Sequence, residues 1–357
     1  MAIPTQRPSI ALFATIVCVT AACDSTPATE KASTSIASAA KPSAAAPSSS
    51  APAAAEAPAG QPLTDVVDLA VGEQMSCALK KDQSVWCWAV GELAKRTIMV
   101  DAARVGVVRG FLCAIQKGGQ IACSKPYAGE IIPVPLYRDG VNIVGGPEGY
   151  CVDTEDGVLR CGVEDVEAEK VKPPSGLPGL KHPSAFSVGL HYGFGLIESD
   201  VWCWDNRKGP GLPKTMAPVE GAKGVAVGRQ RACAFTEAGE VWCYDLTAGD
   251  KPFDAKPAKL DGWAGVKWLT MSYGKEARDG LCALGADGSV ACSELSGDGA
   301  DARFGAPKPV AGATDVEQLA TGAATHSCVR TKKGTVSCWK RGAEAEPVRQ
   351  APAKGKP

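Results

Sequence analysis

Twelve of the 15 cysteines in the chain fall into six pairs with one spacing, the second ten positions after the first: Cys77 and Cys87, Cys113 and Cys123, Cys151 and Cys161, Cys233 and Cys243, Cys282 and Cys292, Cys328 and Cys338. Paired thiols serve two chemistries, disulfide formation and metal ligation. Structural zinc sites bring cysteines two to four residues apart and commonly add histidine. The spacing here is wider and the whole chain has three histidines, so the metal reading is poor and no cofactor is expected. Disulfides require an oxidising compartment, and a chain this rich in cysteine fits one. Midway between the partners stands a turn: Lys81-Asp82-Gln83 in the first pair, and "KGG", "EDG", "EAG", "ADG" and "KKG" in the others. The glycine supplies the positive φ of a tight hairpin turn. A midpoint turn sets the two cysteines opposite each other on antiparallel strands, with Cα atoms about 4.5–5.5 Å apart, which a disulfide can span. Each bridge would close an 11-residue loop, for which the chain-entropy model gives about 2.8 kcal/mol. Cys203, in "GFGLIESDVWCW", stands ten places after Gly193 and marks a seventh unit that has lost its first cysteine. It is expected to remain unpaired.

Seven such units need strands to carry them. Two residues before each second cysteine stand Val85, Ile121, Leu159, Val201, Val241, Val290 and Val336, on the cysteine face of the strand by the period of two. A short apolar run precedes each hairpin, as in "VVDLAVG", "VNIVGG", "GVAVG" and "VEQLATG", and a Pro-containing segment such as "IIPVPLY", "APKPV" or "AEPVRQ" follows. That makes four short strands per unit. The first cysteines advance from position 77 to 328 over six steps, a period of about 42 residues, which is the range of propellers and solenoids. The fold class expected is all-β: a seven-bladed β-propeller of four-stranded antiparallel blades, preceded by a signal peptide and a disordered linker.

The pattern V-x-x-L-x-x-G, then Cys-Ala-Leu, then Asp-Gly-x-Val-x-Cys-Trp, resembles the regulator of chromosome condensation repeat, in particular its cysteine-bearing version in secreted bacterial proteins. The resemblance covers about residues 63 to 350. "CWDNRKGPGL" from Cys203 is the best single match to that family's Trp-Gly-x-Asn-x-x-Gly-Gln-Leu-Gly, a segment eroded in most other units. The resemblance implies a propeller and carries no function with it.

The amino terminus, MAIPTQRPSIALFATIVCVTAAC, has Arg7, an apolar stretch from Ile10 to Val19 and small residues before a cysteine, the layout of a secretory signal. The apolar stretch is shorter than the roughly 20 residues of a membrane span. Thr20-Ala21-Ala22-Cys23 resembles the bacterial lipobox, with Thr20 where leucine is usual, and implies that Cys23 is lipidated; ordinary cleavage with Cys23 as a bystander is the alternative. From Asp24 to about Pro62 the chain is nearly all Ala, Ser, Pro, Thr and Lys, without an aromatic residue, and is expected to be disordered. As a flexible coil it would reach about 35 Å. The expected organisation is a signal peptide over 1–22, a lipid-anchored tether over 23–62, the propeller over 63–350 and a disordered tail over 351–357.

Lys plus Arg, 38, nearly balances Asp plus Glu, 39, so no global field draws nucleic acid. His191 and His326 each lie two residues before the first-cysteine position of their unit, and their expected role is hydrogen bonding within the blade; His182, before Pro183, has no identifiable partner. The acidic residues Glu164, Asp165, Glu167 and Glu169 read as a solvated loop, and Ser296–Asp301, "SGDGAD", lacks the ligand spacing of a calcium site and reads as a turn. Trp86, Trp88, Trp202, Trp204, Trp242 and Trp339 flank second cysteines, where packing layers are expected rather than a carbohydrate-stacking surface. No G-x-S-x-G, H-E-x-x-H or phosphate-binding glycine motif is present in the mature chain, so no catalytic residue is assigned. The function expected is a non-catalytic platform in the bacterial envelope, periplasmic or surface-exposed. It would be held to the membrane by its lipid and would bind an envelope or extracellular protein. A glycan-directed enzyme using the central pocket, or a structural spacer, are the alternatives.

Overall fold

The computed structural model describes residues 60–99, 101–108, 110–124, 132–133, 139–147, 149–165, 170–171, 174–207, 210–247, 252–272, 278–297, 302–322, 326–340 and 342–351. The signal peptide, Cys23 and the tether up to residue 59 lie outside them, as do Glu167, Glu169, residues 298–301 and the tail beyond Ala351.

Seven antiparallel sheets follow one another along the chain, each built mainly from consecutive strands. Blade 1 comprises Val66–Val71, Met75–Lys80, Val85–Ala89 and Lys95–Arg96. Blades 2 to 7 repeat this plan from inner strands at Ala102–Val108, Gly140–Gly145, Ala185–Val188, Ala222–Val227, Val266–Ser272 and Val316–Thr321. The outermost strand is two residues long in most blades, as in Ile132–Pro133, Lys308–Pro309 and Glu346–Pro347. Proline is tolerated there because an edge strand has a side with no ladder bond to donate.

The two central strands are buried on both faces, which is why the hairpins are apolar almost throughout. The seven aliphatic residues two places before the second cysteine are 0–1% exposed. Seven apolar clusters each join one blade to the next: Cys77, Leu79 and Val85 pack with Val105 and Leu112 of blade 2, and so on round to Cys328 and Val336, which pack with Leu69 and Ala78 of blade 1. The cysteine face of every blade therefore meets the following blade. Full burial of one such aliphatic side chain contributes about 1.5–3 kcal/mol, and this packing closes the ring.

The glycine that ends the V-x-x-L-x-x-G run has a steric reason. A Cβ built on Gly322 would lie 1.9 Å from Gly72 O, and one on Gly145 would lie 2.0 Å from Val107 O. Neighbouring inner strands converge at these points, so a side chain has no room.

The last blade is completed by its own strand, Glu346–Pro347. The amino-terminal segment is then laid beside the chain that follows: Leu63 N donates to Val348 O at 2.8 Å, Gln350 N to Gln61 O at 2.7 Å and Arg349 Nη1 to Gly60 O at 2.9 Å. On its other side the same carboxyl-terminal segment bonds blade 1, through Ala94 N to Arg349 O and Ala351 N to Ala94 O, both 2.8 Å. Gly60–Pro62 and Ala351, assigned above to tether and tail, are thus hydrogen-bonded parts of the ring.

Candidate functional site

All twelve paired cysteines form disulfides within their own hairpins, with Cα atoms 4.0–4.1 Å apart and each pair directly opposed. Cys203 is unpaired and buried, and burial raises its thiol well above the usual cysteine range. Its strand partner differs from the one expected. Five residues separate the facing core positions in blade 1, Leu79 and Val85, but four separate Leu196 from Val201. The blade 4 turn is one residue shorter and uses Glu198 at φ 55°, so Phe194 faces Cys203 and Gly193 faces Trp204. A Cβ on Gly193 would lie 2.1 Å from the Trp204 ring. The apolar Phe194 replaces the missing half-cystine, and Gly193 makes room for the indole.

The inner strands surround a central cavity of about 470 Å³. Among the described residues that line it, three are charged: Asp68, Asp153 and Lys223. Asp68 is a clamp across three blades. Its Oδ1 accepts from Leu69 N and from Gln318 Nε2 of blade 7, both at 3.0 Å, and its Oδ2 from Val105 N of blade 2 at 3.1 Å. Lys223 pairs with Glu237 at 3.3 Å. Asp153 is different. Its Oδ1 is buried and receives no hydrogen bond from the protein, and burial raises its carboxyl above the usual range, only partly offset by the Thr154 N–H and by nearby His182. Trp268 also lines the cavity and is 50% exposed. The other exposed apolar side chains nearby, Val67 and Val141, occupy the extra position of the β-bulge with which six of the seven inner strands begin. A bulge leaves one residue out of the ladder and turns it to solvent. Blade 4 begins without one.

Polar side chains elsewhere are engaged between blades. His326 is 4% exposed, and its Nε2 lies 2.9 Å from Ser76 Oγ of blade 1; the bond thus crosses the seam between blades 7 and 1 rather than staying within one blade, because the strand starts at the blade face that meets its neighbour. Burial and then Lys340 push its pKa down to about 4. His191 does not share that place: with Phe194 at the first-cysteine position the equivalent residue is Tyr192, and His191 precedes the strand, where its carbonyl accepts Asn206 N at 2.7 Å. His182 is exposed, and its ring covers Gly157. Asp279 of blade 6, fully buried, accepts the successive backbone N–H groups of Arg229, Gln230 and Arg231 in blade 5 at 2.7–2.9 Å. Burial raises its carboxyl, and those three N–H groups and Arg231 oppose the shift. Arg231 itself holds Asp245 at 2.5 Å and the carbonyl of Ala302 at 3.0 Å. This network couples blades 5 and 6.

Of the six tryptophans beside second cysteines, Trp88, Trp204 and Trp339 are buried between blades. Trp86, Trp202 and Trp242 are half-buried and face the outermost strands, opposite Arg96, Thr215 and Lys259. Ser296 ends the third strand of blade 6 and Gly297 follows it, and Glu164 and Asp165 pair with Val171 and Lys170. The segment that holds Glu164 and Asp165 is thus partly strand, and not a loop throughout, because blade 3 extends its third strand to Asp165.

No protein-family profile and no curated protein matches the chain significantly. Among solved structures the chain is similar to Prp20p of Saccharomyces cerevisiae, the yeast RCC1, at 13% identity and a TM-score of 0.56, over 80% of this chain and 83% of that one. It is similar to the ectodomain of the Arabidopsis thaliana receptor kinase ACR4 at 16% identity and a TM-score of 0.52, over 80% and 99%. It also matches PorZ of Porphyromonas gingivalis at 11% identity and a TM-score of 0.55, over 84% of this chain and 40% of that one. At these identities the likeness is one of fold alone, a β-propeller such as the repeat pattern implied.

Proposed function

We propose that this protein is a non-catalytic binding platform, secreted through its amino-terminal signal, anchored by a lipid on Cys23 and presented on the 23–59 tether to a protein partner in the periplasm or at the cell surface. The observation that carries this reading is the contrast between the two faces of the ring. On one face the hairpin turns are short and nearly uniform. On the other, the connections from third to fourth strand run from five residues after Ala89 to twelve after Asp245. A rigid scaffold with uniform blades and unequal loops on one face is how binding surfaces are commonly built. The scaffold's own polar groups, Asp68, Asp279, Arg231 and His326, are committed to holding blades together. Six disulfides fit an oxidising compartment. The structures of similar fold include one described for binding Gsp1p and histones, one receptor ectodomain and one bacterial surface component. Those partners belong to those proteins.

Cross-linking of the full-length protein in its native envelope, followed by mass spectrometry, tests the reading, with Cys23→Ser as control. One reproducible protein partner captured through residues 206–213 and 246–257, and lost from the membrane fraction with Cys23→Ser, is the expected result. Cross-links to glycan alone, or none, would move the reading to the enzyme or the spacer.

A further inference from the structure

Aligning the seven hairpins on their central pair shows one position out of character. Two residues after the first cysteine, or after Phe194 in blade 4, stand Leu79, Ile115, Leu196, Phe235 and Leu284, all buried against the next blade. Blade 7 has Arg330 there, and its guanidinium is satisfied by Gln318 Oε1 at 3.1 Å and Glu317 Oε2 at 2.7 Å. Blade 3 has Asp153, whose Oδ1 is buried and receives no donor from the protein. A carboxylate oxygen left so at a core position is destabilising. Departures of this kind from local consistency concentrate at functional sites.

The surroundings define what the oxygen awaits. Asp153 lies at the wall of the central cavity, beside the lead-in to blade 4, where Pro183 and Ser184 line the same space. Ser184 Oγ spends its hydrogen on Leu196 O at 3.2 Å, so it offers the cavity an acceptor. Asn142 Oδ1 already takes Ile143 N at 3.0 Å. The other charged residues of the wall are balanced, Asp68 by three donors and Lys223 by Glu237. Among the described residues of the wall, Asp153 thus carries a negative charge with one oxygen that receives no hydrogen bond, only partly offset by the Thr154 N–H and His182, and Phe186 and Trp268 line the same cavity. A cavity of about 470 Å³ is within the usual size of a small-ligand site.

We propose that the central cavity is a receptor for an organic cation, a primary ammonium on an alkyl stem, whose charged head is bound by Asp153 and Ser184 at the junction of blades 3 and 4. The stem is accommodated by the apolar and aromatic wall. The ammonium belongs either to a free amine or to a lysine side chain of a protein. The site opens toward the hairpin-turn face, opposite the long loops, so it stands or falls independently of the platform reading.

Calorimetric titration of the full-length protein at about pH 8 with 1,5-diaminopentane and, separately, with the peptide acetyl-Gly-Lys-Gly-amide tests this. Either probe is expected to bind, with affinity reduced at least about tenfold by Asp153→Asn, the loss of a charge-assisted bond. Preference for the diamine assigns a free amine, and preference for the peptide assigns a protein lysine. Asp153→Leu, which installs the residue of blades 1, 4 and 6, is expected to abolish binding while raising Tm by about 2–4 °C. That rise shows that the loss is not unfolding. Binding of neither probe, equal binding by the Asn variant, or a fall in Tm for the Leu variant would overturn the proposal; the last would make the carboxylate a structural group.

Discussion

Protonating His326 puts a positive charge into the seam between the last and first blades, where its ring meets Ser76 and where Lys340 adds repulsion. Its folded pKa, about 4, lies below the 6.5 or so of an unfolded histidine. Between those values the unfolded chain takes up a proton that the folded chain refuses, so this group's contribution to stability is full above about pH 6.5 and is lost as the pH falls toward about 4. The loss is about 3 kcal/mol at most. Asp153 and Asp279 work the other way: burial raises both, the folded state binds their protons more readily, and they favour folding as the pH drops. Urea midpoints of the parent and His326→Gln at about pH 7 and 4.5 separate these effects. The parent is expected to lose about 1–3 kcal/mol more than the variant on acidification; equal losses would show that the seam does not sense protonation. Neither Ser76 nor Asp279 could be picked out from the sequence, because each acts on a blade distant along the chain. Asp153 could have been, since alignment on the cysteines alone sets an acid in a column with Leu79, Ile115, Phe235, Leu284 and Arg330.

At the level of the hairpin, six units are held by a bond that spans 11 residues and never leaves its own blade. Replacing both Cys113 and Cys123 by alanine is expected to cost about 2–3 kcal/mol and to lower Tm by about 5 °C, with the transition still cooperative. A scan that shows blade 2 melting apart from the rest would mean that the bridge also organises its neighbours. Blade 4 shows that the hairpin can do without: Phe194 and Cys203 fill the same interior volume with apolar matter. The spacing rule read six hairpins correctly because a five-residue interval and a positive-φ residue recur in all of them. It misplaced the seventh by one residue because the shortened "IESD" turn shifts the register, and in a β-hairpin a shift of one residue changes every partner.

For the ring as a whole, the test of closure is a residue that precedes the first strand. Leu63 is fully buried among Val66, Trp88 and Val348 at the junction of blades 7 and 1, and its N–H donates to Val348 O. Leu63→Ala is expected to destabilise the protein by about 2–5 kcal/mol, the range for emptying a buried leucine site. Denaturant titration measures it, and a change below about 0.5 kcal/mol would mean that the clasp formed by 60–63 and 348–351 is ornamental.

Repeat number, strand number per repeat, disulfide partners and the buried face were determined by sequence alone, since each follows from local spacing: period two along a strand, and a turn at the midpoint between cysteines. Ring closure, the bond from His326 to Ser76, the Asp279 network and the placing of the Asp153 carboxylate at the central cavity were decided only by tertiary structure. Each depends on which blade lies beside which, at sequence separations such as the 250 residues between Ser76 and His326. Packing between blades chooses those neighbours, and no local pattern of residues encodes them.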